Sequence, residues 1–169
     1  DDFLPMNAST PENIRRVRAS YYGKISLIDY WVGQILEACA EKGMLDEMLI
    51  VFWSDHGDML GDHRRVFKCT FHESSMRVPL MLRWPGHFEE GATSNALVEV
   101  IDVYPTILRA VGLDFPSRCL GRSLLPLLTE PDAPFRDAQL SEIQNAGERR
   151  ICLRTAEHKY AVRQNGEGY

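Results

Sequence analysis

A continuous apolar run, Met48-Leu-Ile-Val-Phe-Trp53, constrains the fold of this chain more than any other stretch. Because no polar residue alternates with the apolar ones, the run is typical of a strand buried on both faces in a parallel sheet. A long amphipathic helix is predicted directly before it. A helix followed by a buried strand is the order expected of an α/β fold.

The predicted helix begins at Thr10-Pro11, where Thr10 is a suitable N-cap and Pro11 fits the first helical position. Apolar residues then recur at steps of three and four, at Ile14, Val17, Tyr21, Ile25, Ile28, Val32, Ile35 and Cys39. Gly43 is expected just past the helix end. Tyr21, Tyr30 and Trp31 lie on or beside this stripe, so we expect them in or near the core.

The rest of the chain alternates further strands and helices. A second strand is predicted over 78–84, a short strand over 96–101, and a helix that opens at Asp102 and closes at Gly112, with Asp102 as its N-cap or turn residue. Three short strands in the tail, over 138–143, 150–155 and 159–163, suit a small antiparallel sheet.

Composition and charge exclude several classes of protein. The 169 residues are 44% hydrophobic and 25% charged, which predicts one globular core. A net charge of −5 without a Lys/Arg run argues against nucleic-acid binding. No apolar run approaches the roughly 20 residues of a membrane span. The chain opens with Asp1 and no signal-peptide pattern, so we expect a piece of a longer protein and leave its compartment open.

The four cysteines are too far apart for a zinc or redox motif. Cys39, Cys69, Cys119 and Cys152 form no C-x-x-C pair, and we predict four separate thiols.

The loop after the apolar run, Ser54-Asp55-His56-Gly57, is the main candidate site. In open α/β sheets, ligands bind beyond the carboxyl ends of the strands. A carboxylate and a neutral imidazole that emerge there together can both coordinate a divalent cation. The alternative is a polar turn in which Asp55 caps Gly57 or a following helix, the commoner use of Asp and Gly. The residues alone leave both interpretations open.

A larger set of ordered motifs resembles the sulfatase family, within the alkaline-phosphatase-like superfamily. The matching stretches are Tyr21-Tyr-Gly-Lys-Ile-Ser-Leu-Ile-Asp29, Ser54-Asp-His-Gly-Asp-Met-Leu-Gly-Asp-His63, Lys68, Glu73-Ser-Ser-Met-Arg-Val-Pro-Leu80, Pro85-Gly86, Asp102-Val-Tyr-Pro-Thr106 and Gly121-Arg-Ser-Leu-Leu-Pro-Leu127. They span roughly residues 11–128, and several motifs in the right order make the resemblance specific.

This resemblance implies the fold and the division of the chain. The fold class is α/β, part of an alkaline-phosphatase-like sandwich with a mostly parallel sheet flanked by helices and a small C-terminal antiparallel sheet. Residues 1–130 would be the C-terminal part of the catalytic α/β domain, and 131–169 the start of a small antiparallel subdomain.

The resemblance also implies a sulfate-ester hydrolase whose nucleophile is a formylglycine, made from Cys or Ser in C/S-x-P-x-R and held by a divalent cation. This chain has no such motif: Pro116-Ser117-Arg118 carries Asp114 at the nucleophile's place. Asp1-Asp2 follow no buried strand and do not match the family's paired metal aspartates. The nucleophile is therefore expected outside this chain, and the 169 residues alone are expected to be inactive.

The implied site residues lie on one loop. Asp55 and His56 match metal ligands, and Lys68 matches the lysine that contacts the sulfate and the leaving-group oxygen, where its ammonium neutralises developing charge. The implied cofactor is a divalent metal, usually calcium; His56 stands where many sulfatases have Asn, which makes magnesium or manganese the alternatives. Asp62 and His63 are candidates for the pocket mouth or for orienting a ligand, with a plain polar loop as the alternative.

A second histidine-containing stretch is expected to be structural. His72, Glu73 and Arg77 should cap a short helix and form an ion pair rather than take part in catalysis.

Two other functions stay open. A phosphonate or phosphate ester hydrolase of the same superfamily would share the Asp-His pair and Lys68, and a non-catalytic binding module would use none of them. The implied partner is a small-molecule or carbohydrate sulfate ester whose alcohol the fold does not identify. No nucleic acid and no membrane span are expected. Apolar helix and strand surface left uncovered would favour self-association.

Overall fold

A computed structural model describes residues 10–145 and 147–168, so the statement about Asp1 and Asp2 lies outside the described residues. The chain divides into two compact units at Trp84/Pro85. The first unit contains α1 (Pro11–Glu41), β1 (Ile50–Trp53), α2 (Glu73–Met76) and β2 (Leu80–Arg83). The second contains α3 (Val103–Ala110), α4 (Leu125–Thr129), β3 (Gln139–Asn145), β4 (Glu148–Arg154) and β5 (Lys159–Arg163). Single 3₁₀ turns occupy Leu45–Glu47, Asp62–Arg64 and Val100–Asp102.

Helix α1 begins and ends where the sequence predicts. The Thr10 hydroxyl accepts a hydrogen bond from the Asn13 amide at 3.2 Å, which satisfies one of the free N–H groups of the first turn. Pro11 occupies the first helical position. Gly43 follows the helix with φ +66°, a conformation that glycine adopts without a Cβ penalty. These end signals are local, which is why they can be read without the tertiary structure.

The apolar face of α1 is not buried in the part of the chain that the structure describes. No residue of the helix is buried, and Tyr30 and Trp31 are 57% and 58% exposed. The prediction that Tyr30 and Trp31 lie in the core is therefore wrong here, and Tyr21 is half-buried. Helical spacing specifies which side chains share a face, but what covers that face depends on residues far away in sequence.

Strand β1 forms an antiparallel pair with β2. Ile50 lies opposite Arg83 and Trp53 opposite Leu80. The apolar run is thus a strand, as predicted, but its parallel pairing and its burial on both faces are not found among the described residues, since Trp53 is 44% exposed. An uninterrupted apolar pattern indicates that both faces of a strand are apolar. It does not indicate whether the neighbouring strand is parallel or antiparallel. The 54–79 connection holds a single 3₁₀ turn and a four-residue α-helix, whereas a parallel pair needs a crossover, usually a longer helix.

The predicted strand over 96–101 is wrong. Residues 96–99 form no strand, and residues 100–102 form the 3₁₀ turn that leads into α3. The Glu99 amide donates to Asp102 Oδ2 at 2.7 Å, and the Glu99 carboxylate accepts from the Leu140 amide at 2.7 Å. The Ala96 and Glu99 amides therefore donate to side chains, Ser94 and Asp102, rather than to a neighbouring strand.

Asp102 is the centre of a buried ion pair. It occupies the N-cap position of α3, as predicted, but its carboxylate is fully buried and binds the Arg136 guanidinium through two bonds of 2.7 and 2.9 Å. The Arg122 amide donates to the same carboxylate at 2.7 Å. A buried carboxylate keeps its charge only when it is paired and hydrogen-bonded in this way. Asp102 thereby joins α3 to the segment before β3.

The C-terminal strands form the predicted small antiparallel sheet, in the order β3-β4-β5. Cys152 on β4 and Ala161 on β5 are buried, which gives the sheet one packed face. Cys39, Cys69, Cys119 and Cys152 form no disulfide bond, as predicted. Among residues 10–145 and 147–168, no helix has the length and apolar character needed to cross a membrane.

Candidate metal and sulfate site

The candidate site lies on the loop between β1 and β2, here called the site loop (residues 54–79). Its first residues fold into a tight polar turn. The Ser54 hydroxyl donates to the His56 carbonyl oxygen at 2.8 Å, and the His56 amide donates to Asp55 Oδ1 at 2.9 Å. One oxygen of Asp55 is therefore used in a polar turn, although its donor is the His56 amide and not Gly57 or a following helix, which the polar-turn interpretation named. The other oxygen remains for a ligand.

Gly57 lets the turn approach α2 closely. Its amide donates to the Ser75 carbonyl oxygen at 2.8 Å, and a Cβ at this position would lie 2.0 Å from the Ser74 carbonyl oxygen. Only glycine fits without moving the backbone. Gly57 had no predicted role of its own, although a glycine beside a candidate site residue can mark a close backbone approach.

Met59 anchors the middle of the site loop. Its side chain is fully buried, and its sulfur accepts a hydrogen bond from the Thr70 hydroxyl at 3.2 Å. The Met59 amide donates to the Phe67 carbonyl oxygen at 2.7 Å, which folds the loop back on itself. Lys68 follows Phe67 in the chain, so this hydrogen bond places Lys68 beside the turn that carries Asp55 and His56.

The structure brings Asp55, His56 and Lys68 together. His56 Nδ1 lies 2.9 Å from the Gly57 carbonyl oxygen; since a carbonyl only accepts, Nδ1 donates, and in a neutral ring Nε2 is then the acceptor. Lys68 Nζ donates to that Nε2. Asp55 Oδ2 lies 3.4 Å from the same Nε2. A carboxylate oxygen, an imidazole lone pair and an ammonium therefore meet at one point on the surface of the loop.

This arrangement fits two ligands of a divalent cation. Neighbouring ligands at right angles around such an ion lie about 3 Å apart, because the metal–ligand bonds are about 2.1–2.4 Å long. The donation from His56 Nδ1 to a backbone carbonyl is the contact that commonly orients a metal-binding histidine. Among the described residues, no third His, Cys, Asp or Glu completes a group able to hold a metal ion. The site loop thus offers two groups with the chemistry of metal ligands, Asp55 Oδ2 and His56 Nε2.

Asp62 and His63 have contacts of their own within the first unit. Asp62 Oδ1 accepts from Arg18 on α1 at 3.3 Å, and Oδ2 accepts from the Ser74 hydroxyl at 2.7 Å. The His63 ring stacks on the His72 ring, with centroids 3.9 Å apart and an angle of 12° between the planes. His72 lies at the N-cap position of α2, where the sequence analysis expected it. The role of Asp62 and His63 at a pocket mouth stays a prediction.

Arg18 is a site-loop contact that the sequence analysis did not single out. It lies 42 and 44 residues from the groups that it binds, so no local pattern indicates the contact.

The comparisons with known proteins point to one family. The sequence profile of the family described as Sulfatase matches residues 2–113. Arylsulfatase K of Danio rerio is 33% identical over 163 residues, which are 93% of this chain and 31% of that protein. The matched region contains the whole site loop.

Two solved structures are similar to this chain. The structure of BT4656 in complex with its substrate D-glucosamine-2-N,6-O-disulfate has a TM-score of 0.80 and 30% identity, over 85% of this chain and 31% of that one. The phosphonate monoester hydrolase of Agrobacterium radiobacter has a TM-score of 0.86 and 29% identity, over 95% and 35%. These similarities confirm the predicted α/β fold class. The chain spans about a third of the length of these proteins.

Proposed function

Because the chain belongs to the sulfatase family, we propose that it forms part of a metal-dependent hydrolase that cleaves sulfate esters through a formylglycine. The observation that carries this proposal is the meeting of Asp55 Oδ2, His56 Nε2 and Lys68 Nζ on the site loop. These three groups offer what sulfate-ester hydrolysis needs from one side of a pocket, namely ligands for a cation and a donor for the leaving oxygen.

Asp55 and His56 are proposed as the metal ligands. A divalent cation held there would polarise the oxygens of a bound sulfate group and neutralise part of its charge. The carboxylate oxygen suits calcium, and the imidazole nitrogen makes magnesium or manganese the alternatives. His56 Nε2 has one lone pair, so it either accepts from Lys68 or binds a cation. Cation binding is therefore expected to release the Lys68 ammonium toward a substrate.

Lys68 is proposed as the catalytic residue of this chain. Its ammonium would donate a hydrogen bond to the ester oxygen and stabilise the negative charge that develops there as the S–O bond breaks. Because the site loop already fixes the backbone at Phe67, little reorganisation is needed at the moment of reaction. Asp62 and His63 would act from a distance, by holding the loop that carries Lys68.

The nucleophile is assigned to a residue outside these 169 residues, since the chain contains no C/S-x-P-x-R sequence. We therefore expect the purified chain alone to show no turnover of 4-nitrophenyl sulfate. The coding sequence on the N-terminal side of Asp1 tests this directly. A C/S-x-P-x-R motif there supports the sulfatase mechanism, and a longer reading frame without any such nucleophile would overturn it.

The proposed substrate is a carbohydrate or small-molecule sulfate ester. The structure of BT4656 holds a sulfated glucosamine, and the relative from Danio rerio is named an arylsulfatase. A phosphonate monoester hydrolase is the second candidate, favoured by the TM-score of 0.86 to the enzyme from Agrobacterium radiobacter. Turnover of 4-nitrophenyl sulfate against a 4-nitrophenyl phosphonate ester, by the protein that includes the nucleophile, decides between them.

Metal binding by the chain itself tests the assignment of Asp55. Calorimetric titration with Ca²⁺, Mg²⁺ and Mn²⁺ should show weak binding, with Kd on the order of 10⁻³ M because only part of the shell is present. Asp55→Asn should weaken it at least about tenfold, the loss that follows removal of roughly 1.4 kcal/mol. Asp46→Asn is the matched control, since Asp46 in the same unit is 86% exposed against 80% for Asp55. Equal titrations for both variants would contradict the assignment.

A further inference from the structure

We propose that Arg18, on α1, is a positioning residue that fixes the backbone carrying Lys68 by clamping the site loop; in the metal-free chain this backbone places Lys68 beside His56. Arg18 contacts the Leu60 carbonyl oxygen and the Asp62 carboxylate, and Ser74 contacts the same carboxylate. We call these three contacts the Arg18 clamp. The inference rests on the proposed function of Lys68. It adds a residue from a different element, 50 positions earlier in the chain, to the machinery of the site.

The clamp joins three elements through one guanidinium and one carboxylate. Arg18 Nε donates to the Leu60 carbonyl oxygen at 2.7 Å, and one terminal nitrogen donates to Asp62 Oδ1 at 3.3 Å. The Ser74 hydroxyl, on α2, donates to Asp62 Oδ2 at 2.7 Å. Ile14, one turn before Arg18, packs so tightly on Gly61 that a Cβ there would lie 2.6 Å from its Cγ2 atom. Helix α1 and the α2 part of the site loop therefore both contact residues 60–62.

The backbone of residues 60–69, which include the clamp residues Leu60 and Asp62 as well as Lys68, has an unfavourable conformation. Residues other than glycine adopt left-handed φ angles at five positions: Leu60, His63, Arg64, Phe67 and Cys69, with φ of +46°, +51°, +58°, +67° and +68°. Such conformations persist only where surrounding contacts determine them, and they cluster at functional sites. Without external bonds, this stretch would relax to another conformation.

Two backbone hydrogen bonds carry the effect of the clamp to Lys68. The Gly61 amide donates to the Arg65 carbonyl oxygen, and the Met59 amide donates to the Phe67 carbonyl oxygen, both at 2.7 Å. The stretch that Arg18 grips is thus bonded across the loop to the residue immediately before Lys68. Fixing Leu60 and Asp62 therefore fixes the backbone from which the Lys68 side chain reaches His56.

The chemistry of the clamp requires arginine. A guanidinium presents several donors in a planar fork and can bind a carbonyl and a carboxylate together, whereas a lysine ammonium is a single point donor on a flexible stem. Arg18→Lys should therefore keep the charge and lose most of the positioning. A charge effect and a geometric effect can be separated in this way.

The test measures the Lys68–His56 contact in the 169-residue chain. The ¹⁵N chemical shift of His56 Nε2, at one fixed pH, reports whether an ammonium donates to it. Lys68→Ala gives the shift without that donor. Arg83→Leu is the matched control for Arg18→Leu, because Arg83 has the same 44% side-chain exposure and binds the Leu45 carbonyl oxygen at 2.7 Å and Asp46 Oδ1 at 3.2 Å.

We expect Arg18→Leu to move the Nε2 resonance at least half of the way to its position in Lys68→Ala. Arg18→Lys should give a large part of that shift, and Arg83→Leu should give none. Should Arg18→Leu lose its dispersed amide spectrum, Ser74→Ala decides, since it removes only one bond to Asp62 and should give a smaller shift in the same direction.

The outcomes separate this inference from the proposed function. If Lys68→Ala moves the resonance while Arg18→Leu and Ser74→Ala leave it unchanged, Arg18 has no positioning role and the assignment of Lys68 stands. An equal shift in Arg83→Leu would likewise overturn the positioning role, since it would show a general effect on stability. If Lys68→Ala itself leaves the resonance unchanged, the Lys68–His56 contact is absent and both the site geometry and the clamp are wrong.

Discussion

Replacing Gly57 by alanine should destabilise the protein and damage the candidate site in one step. The new Cβ would lie 2.0 Å from the Ser74 carbonyl oxygen, 3.0 Å from the Ser74 carbonyl carbon and 3.3 Å from Ser75 Cα. All three neighbours are backbone atoms, so no rotation of a side chain relieves the clash. The turn must move away from α2, and the hydrogen bond from the Gly57 amide to the Ser75 carbonyl oxygen is lost or lengthened.

The magnitude follows from these two effects. Forcing a methyl group into packed structure costs about 1–3 kcal/mol, and losing a backbone hydrogen bond about 1 kcal/mol, so we expect a loss of roughly 2–4 kcal/mol. Gly33→Ala is the control, since nothing lies within 4 Å of a Cβ there and Gly33 is in the interior of α1. An alanine in a helix interior is favoured over glycine by about 1 kcal/mol, so this variant should be more stable than the parent chain.

Thermal unfolding followed by circular dichroism measures both changes. At about 2–4 °C per kcal/mol for a chain of this size, Gly57→Ala should lower Tm by roughly 4–16 °C, and Gly33→Ala should raise it by about 2–4 °C. Calcium titration of the folded Gly57→Ala variant should also show weaker binding, because Asp55 and His56 move with the turn. A Tm for Gly57→Ala equal to or above that of the parent would refute the close contact with Ser74.

Three further predictions concern other parts of the chain. Asp102→Ala should lower the urea unfolding free energy by about 3–5 kcal/mol, because the buried Arg136 guanidinium keeps only its ion pair with Glu99 at 3.3 Å and the Glu99 and Arg122 amides lose their acceptor; a loss below 1 kcal/mol would mean that the pair is solvated. The hydrogen bond from Arg149 lowers the pKa of Glu142, so the stabilising effect of this pair is present above the unfolded-state pKa and is lost as the pH falls through the folded-state pKa. Arg149→Ala should raise the Glu142 pKa toward its ordinary range in a carboxyl NMR titration, and an unchanged titration would show that the bond does not form in solution. The exposed apolar face of α1 should favour self-association, so Trp31→Glu should lower the average mass in sedimentation equilibrium, while a parent chain that is monomeric at all concentrations would contradict this.

Several features could be predicted from the sequence because their causes are local. The N-cap at Thr10 and the left-handed residue at Gly43 end α1 where expected, since each depends on atoms within a few residues. The three tail strands follow from alternating patterns bounded by turn residues. The location of the candidate site could also be predicted, because Asp55 and His56 follow the end of β1 at Trp53 after one residue, Ser54.

The candidate site was located from sequence, but its working geometry was not. Asp55 and His56 are adjacent, so their proximity needed no tertiary information. The approach of Lys68, 12 residues later, depends on a loop folded back by the Met59–Phe67 hydrogen bond. The Nδ1–H tautomer of His56 depends in turn on the orientation of the Gly57 carbonyl. These are properties of a backbone path that residue types do not reveal.

The remaining differences share one physical cause. Residue type and spacing determine which elements form, where they end and which side chains share a face, because these preferences act over one or two turns. The antiparallel pairing of β1 with β2, the bond of Arg18 to Asp62 and the burial of Asp102 against Arg136 join groups far apart in the chain. Such contacts form only when the elements pack, since the free energy of burying a charge or pairing a strand depends on what the rest of the chain places beside it.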